Sequence, residues 1–287
     1  MIKKRRLAIS LVIIIIGSLL VACFPLEEEG VLSVHIIDVG QGDSILIRTP
    51  QNKSILIDGG EAWAGKTVAS YLRKYRLAKI DILIASHPHS DHIGGLVNII
   101  ENFQVDSLYM PDKIHTSKTF EQLLDAIEDK GLEITIPNEN TVVELEEDIS
   151  LLFLGPLRDY GENLNNWSIV NKLIHGENSF LFTGDMEAAA EKDLVKNYPG
   201  NILRSQVLKV AHHGSNTSST EIFLDTIRPK VAVISSGKDN LYNHPHDDII
   251  KSLQDLNTAI YSTQDQGTII IKSDGLRIWS HQKPHYN

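Results

Sequence analysis

The chain has 287 residues, of which 42% are hydrophobic and 22% charged, with a single cysteine and a formal net charge of -10 at pH 7. This composition excludes a disulfide-stapled scaffold, a cysteine-rich metal site and a disordered chain, and the acidic balance excludes a broad electrostatic attraction for nucleic acid or anionic lipid.

Lys3, Lys4, Arg5 and Arg6 precede an almost unbroken apolar run from Leu7 to Ala22, the pattern of an export signal. Leu20-Val21-Ala22-Cys23 matches the bacterial lipoprotein signal, in which the cysteine becomes the lipidated first residue; an uncleaved anchor is the alternative, although the run is short for a span. Residues 1–22 are therefore expected to be removed, 23–31 to form an acidic tether and 32–287 to form one large domain. Lipidated Cys23 would hold that domain on the bacterial cell membrane, outside the cytoplasm. Without residues 1–22, 23 basic side chains face 37 acidic ones, a net charge of -14.

Leu32 to Asp38 and Ser44 to Arg48 read as a β-hairpin around a Gly-rich turn, and Ser54 to Ile57 as a third strand ending in Asp58-Gly59-Gly60. A helix is predicted over Lys66 to Tyr75, a strand over Asp81 to Ser86 and a helix over Ile93 to Phe103. Phe120, Leu123, Leu124 and Ile127 mark an amphipathic helix that Gly131 can end. Ile134 to Leu154 is β-rich, and Ser168 to Ile174 with Ser179 to Thr183 makes a second hairpin, followed by a helix over Met186 to Asn197. Val207 to Ala211 and Val231 to Ser235 read as strands, Thr220 to Ile227 and Pro245 to Leu256 as helices. Strands followed by helices in both halves predict two packed sheets with helices outside, each half of the chain supplying one sheet.

His87-Pro88-His89-Ser90-Asp91-His92 places three imidazoles and a carboxylate directly after a strand. His87 and His89 can face one cation, while Asp91 and His92, at a helix entry, can face a second. Asp185 ends a strand and opens a helix, so its carboxylate can bridge two cations or merely cap the helix. His244 repeats the strand, ligand, helix arrangement. His212 and His213 also follow a strand, and because adjacent residues of an extended chain point opposite ways, one of the two imidazoles is expected to enter the site. Ser215, Ser218 and Ser219 would bind phosphate or solvate a loop.

His87-x-His89-x-Asp91-His92, with Asp58, Asp185 and His244, resembles the metallo-β-lactamase-fold hydrolases, which implies an α/β, four-layer αββα sandwich. Asp38 to Ser44, Ser86 to Gly95, Asn166 to Val170, Thr183 to Asp185, His212 to Ser215 and Asn243 to Pro245 narrow the resemblance to the soluble metallo-β-lactamase domain of ComEC, the competence protein of DNA uptake. It runs from about Val34 to Lys272, without the transmembrane competence domain. The resemblance implies an exported hydrolase with two divalent ions, Zn or Mn, and phosphodiester cleavage as the leading reaction, with single-stranded DNA as a possible substrate. His87 and His89 would hold the first metal, Asp91, His92 and His244 the second, and Asp185 would bridge. Asp58 would orient a ligand or the nucleophile, and His212 or His213 would serve as a ligand or protonate the departing oxygen.

One departure bears on chemistry. Most members place a further histidine before the bridging aspartate, where this chain reads Asn165-Asn166-Trp167-Ser168. His175 cannot substitute, because about nine residues of strand, roughly 30 Å, separate it from Asn166. The Asn166 amide, a water, or His212 or His213 must complete the first metal. Lys209, Lys238 and the Ser215 to Ser219 loop are candidate phosphate contacts. The other readings are a hydrolase of lactones, esters or small phosphodiesters, and a non-catalytic metal-binding lipoprotein.

Overall fold

The computed structural model describes residue 28 and residues 30–286; the export signal, Cys23 and most of the tether lie outside the described residues. The strands in chain order are β1 (Leu32–Ile36), β2 (Ile45–Arg48), β3 (Ser54–Ile57), β4 (Lys79–Ile84), β5 (Gln104–Tyr109), β6 (Ile134–Thr135), β7 (Val142–Glu146), β8 (Ile149–Gly155), β9 (Val170–His175), β10 (Asn178–Phe182), β11 (Val207–Lys209), β12 (Val231–Ile234), β13 (Ala259–Ser262), β14 (Ile269–Ser273) and β15 (Ile278–Trp279). They form one sheet ordered β15-β14-β1-β2-β3-β4-β5-β6 and another ordered β13-β12-β11-β10-β9-β8-β7.

Side-chain alternation builds the layers. In β2, Ile45 and Ile47 enter the core between the sheets while Leu46 packs under the outer helices; in β10, Phe180 and Phe182 face inward and Leu181 outward. Three apolar layers result, one between the sheets and one on each outer face. Each large apolar side chain fully buried in them contributes about 1.5–3 kcal/mol. Helices α1 (Gly65–Lys74), α2 (Leu96–Asn102) and α3 (Lys118–Lys130) cover the first sheet, and α4 (Ala188–Asn197), α5 (Glu221–Ile227) and α6 (Asp247–Asp255) the second. The fold is thus the expected αββα sandwich. Among the described residues no helix is long and apolar enough to cross a membrane.

Two expectations change. The helix expected over Ile93 to Phe103 is split into a turn, Ser90–Ile93, and α2, because Gly95 N donates to the Gly60 carbonyl (2.8 Å) instead of back along the helix, an approach so close that a Cβ on Gly95 would stand 1.9 Å from the Gly59 carbonyl oxygen. The two halves also do not each make their own sheet. β14, near the C-terminal end of the chain, pairs antiparallel with β1 in the first sheet, Val34 opposite Ile271.

The first sheet is parallel from β3 to β6 and the second from β10 to β13. The loops after β3, β4, β10, β11 and β12 carry Asp58, His87 to His92, Asp185, His212 with His213, and His244 respectively. In open parallel sheets the carboxyl ends of the strands are where ligands bind.

Candidate metal centre

Asp185 Oδ2 is the hub of the site. His92 Nε2 lies 3.1 Å away, His213 Nε2 3.2 Å, and His87 Nε2 and His212 Nε2 3.9 Å each. Asp91 Oδ2 lies 3.4 Å from His213 Nε2 and 3.8 Å from His92 Nε2. One ligand atom each from Asp91, His92, Asp185 and His213 falls within a 4.8 Å span. His89 Nδ1 faces His87 Nε2 at 3.0 Å. His244 stands beside this group, its ring 5.5 Å from that of His212 and 6.3 Å from that of His213.

Neighbouring polar groups fix each ring. Asp58 is fully buried and left-handed, φ 59°. Its carboxylate accepts from Ser86 N (2.7 Å), Ser86 Oγ (2.6 Å) and His92 Nδ1 (2.8 Å). With Nδ1 so engaged, His92 turns Nε2 to the hub. His213 Nδ1 donates to the Ser235 carbonyl at 2.8 Å, with the same result. Ser86 Oγ lies 3.0 Å from His87 Nδ1, and Ser168 Oγ accepts from Asp185 N at 2.9 Å. Asp43 is buried beneath His92 and His213, its Oδ1 3.5 Å from His213 Nδ1, and pairs with the buried Lys209 ammonium.

Electrostatics favour a cation at this point. Burial pushes His92 downward, yet the Asp185, Asp91 and Asp58 carboxylates outweigh it and raise it well above the ordinary imidazole value. His213 is raised in the same way by Asp185, Asp43 and Asp91 against its burial. Asp185, despite burial, is held well below the usual carboxylate range by His213 and His92. His87 is driven well down by burial and by His92, and His244 to about 4 by burial and the neighbouring imidazoles. His92 Nε2, His213 Nε2, Asp185 Oδ1 and His244 Nδ1 are buried without a hydrogen-bond partner. Orphaned atoms of that number are costly unless a ligand satisfies them, and imidazole with carboxylate is a donor set that divalent metals accept.

The structure brings together all of the expected histidines and aspartates, with three corrections to their surroundings. Both His212 and His213 point into the site, because both are left-handed (φ 49° and 56°) rather than extended, which turns successive side chains to the same side. Asn166 is occupied elsewhere: its Oδ1 accepts from Glu187 N (2.9 Å) and Ala190 N (3.3 Å), holding the start of α4. Lys209 is not a phosphate contact, being 2% exposed and paired with Asp43. The loop serines are buried as well; Ser218 Oγ donates to the Met186 carbonyl. His175 ends β9 at the edge opposite to the open end of the hairpin that carries Asp185. Ser86, Ser168 and the Asp43–Lys209 pair were not identified from the sequence as parts of the site. Asp43, Ser86 and Ser168 lie within the motifs that carry the resemblance, which is the signal that could have found them, whereas Lys209 lies outside those motifs.

The description of the metallo-β-lactamase superfamily matches residues 37–238. ComE operon protein 3 of Bacillus subtilis (strain 168) is 31% identical over 261 residues, 85% of this chain and 33% of that protein. Competence protein ComA of Neisseria gonorrhoeae is 33% identical over 220 residues, 76% of this chain and 29% of that protein. The chain therefore spans about a third of the length of these relatives. In fold alone it is similar to CmlA, a diiron β-hydroxylase from Streptomyces venezuelae, with a TM-score of 0.56 at 12% identity, covering 89% of this chain and 55% of that one.

Proposed function

The chain belongs to the metallo-β-lactamase superfamily, and from that premise we propose that it is an exported, membrane-anchored phosphodiesterase that uses two divalent cations, Zn or Mn, to cut nucleic acid. The convergence of His87, His92, His212 and His213 on one oxygen of Asp185 carries the reading. Names of relatives that refer to competence favour a phosphodiester over a lactone or simple ester. Those relatives are about three times longer, so a part in DNA uptake is itself a proposal.

Asp91, His92 and His213 would hold one cation, His87, His89 and His212 the other, with Asp185 between them and His244 closing the side near His212 and His213. His212, whose Nε2 lies 3.9 Å from Asp185 Oδ2, would serve where the Asn166 amide was expected. When bound, the cations would supply Lewis acidity to a phosphoryl oxygen and acidify a water. Asp58 keeps the His92 ring in the productive tautomer, and the Ser235 carbonyl does so for His213. His244, pushed down to about 4 by burial and the neighbouring imidazoles, is neutral near pH 7 and so free to act as a metal ligand. The purified protein should contain two equivalents of metal and hydrolyse bis-p-nitrophenyl phosphate after reloading with Mn²⁺ or Zn²⁺. Metal binding without turnover of any ester would instead support the non-catalytic lipoprotein. Anchoring through Cys23 is tested by the mature N-terminus, which should be Cys23, and by Cys23→Ala, which should release the domain from membranes.

A further inference from the structure

One exposed aromatic ring lines the metal cleft, and a second stands farther along the same rim. Tyr242 is 63% exposed, lines the cavity of about 280 Å³ that holds His89, Asp91, Asp185 and His213, and stacks on His244 at 5.6 Å and 24°. Its loop is fixed by Asn240. The Asn240 amide nitrogen donates to the Gly237 and His244 carbonyls, and its oxygen accepts from Tyr242 N and His244 N. Leu241, at the tip, is 96% exposed. Across the Gly40-Gln41 turn, Trp63 is 65% exposed, with its six-membered ring 3.1 Å from the position a Cβ on Gly40 would take. The same turn touches the base of the Tyr242 loop, where Gly237 N donates to Gln41 Oε1. Trp63, the Gly40-Gln41 turn and the Tyr242 loop are thus one continuous wall.

Trp63, Leu241 and Tyr242 gather exposed apolar surface along one wall beside a polar cleft, and contiguous patches of that kind mark interaction sites. The body is acidic and Lys209 is buried, so beyond the bound cations and the exposed Lys238 a polyanion gains little from charge around this cleft. Stacking needs no charge, tolerates any base sequence and requires bases that are not already stacked in a duplex. We propose that Tyr242 and, farther along the same wall, Trp63 are stacking platforms for unpaired nucleobases of a strand whose phosphodiester is bound at the metal centre, so that the substrate is single-stranded. This rests on the nuclease reading given above.

The test measures kcat/KM of the full chain with Mn²⁺ on a short single-stranded oligonucleotide and on the same strand with abasic residues flanking the cleaved bond. The wild type should prefer the natural strand, and Trp63→Ala and Tyr242→Leu should each reduce that preference about tenfold. Trp63→Tyr and Tyr242→Phe, which keep a ring, should restore it. Using the ratio of two substrates cancels any general loss of folding or metal. Equal cleavage of both strands by the wild type, or a preference untouched by the variants, overturns the stacking platforms and leaves the nuclease reading standing. Hydrolysis of bis-p-nitrophenyl phosphate without cleavage of any strand overturns both.

Discussion

The loops after β4 and β11 each deliver imidazoles to Asp185, by different backbone solutions. In the first, His87 and His89 flank a tight turn at Pro88, closed by His89 N donating to the His87 carbonyl (3.0 Å), and Asp91 and His92 sit on a short helical turn, so contacts within six residues of chain aim each ring. In the second, two neighbouring residues are both left-handed, a conformation disfavoured for side chains with a Cβ. The surroundings of that loop hold it in place. His212 Nδ1 lies 3.0 Å from Thr217 Oγ1, and buried Glu191 accepts from Ser219 N and from Thr220 N and Oγ1. A metal-binding loop is therefore readable from sequence when its geometry is local, and is obscured when distant contacts impose it.

Removing the shared partner should affect both loops most. Asp185→Asn should lower hydrolysis by more than about 100-fold, beyond the range typical of an orienting partner, and reduce bound metal in elemental analysis. Unchanged turnover would end the dinuclear reading. Next, His89→Ala and His213→Ala, one in each loop, should each lose metal, and only a loss confined to the first loop would show that the second is not a ligand loop. Ser86→Ala removes a group that orients His87 and Asp58, and should weaken metal affinity about 10-fold with little change in the fold, as read by competition with a chelator. Gly214→Ala sharpens the backbone contrast. Its Cβ would stand 2.5 Å from that of Pro245 at φ +85°, so stability should fall by about 1–3 kcal/mol in thermal denaturation. The smallest effect belongs to His175→Ala, expected to leave turnover and metal content unchanged.

The layers and most strands were legible because alternation and helical spacing are local: Ser54 to Ile57 stands as read, and the helix ended by Gly131 runs over Lys118–Lys130. Unread parts depend on distance along the chain. Lys209 looked like a surface cation because nothing near it in sequence offers a counter-charge; its partner Asp43 comes from the other sheet. Asn166 looked like a substitute ligand, yet its geometry answers to the backbone of Glu187 and Ala190. The ring directions of His212 and His213 were hidden because residue type does not announce two consecutive positive φ angles.

The β1–β14 pairing has a temporal consequence. β1 is flanked by β2, formed from adjacent sequence, and by β14, whose partner residues lie more than two hundred positions away. Until that late strand has emerged, one long edge of the first sheet stays open to pairing with another chain. The domain should consequently depend on delivery of nearly its whole length before it closes, and a molecule truncated before Ile269 should aggregate through the bare edge of β1 even with every metal-site residue present.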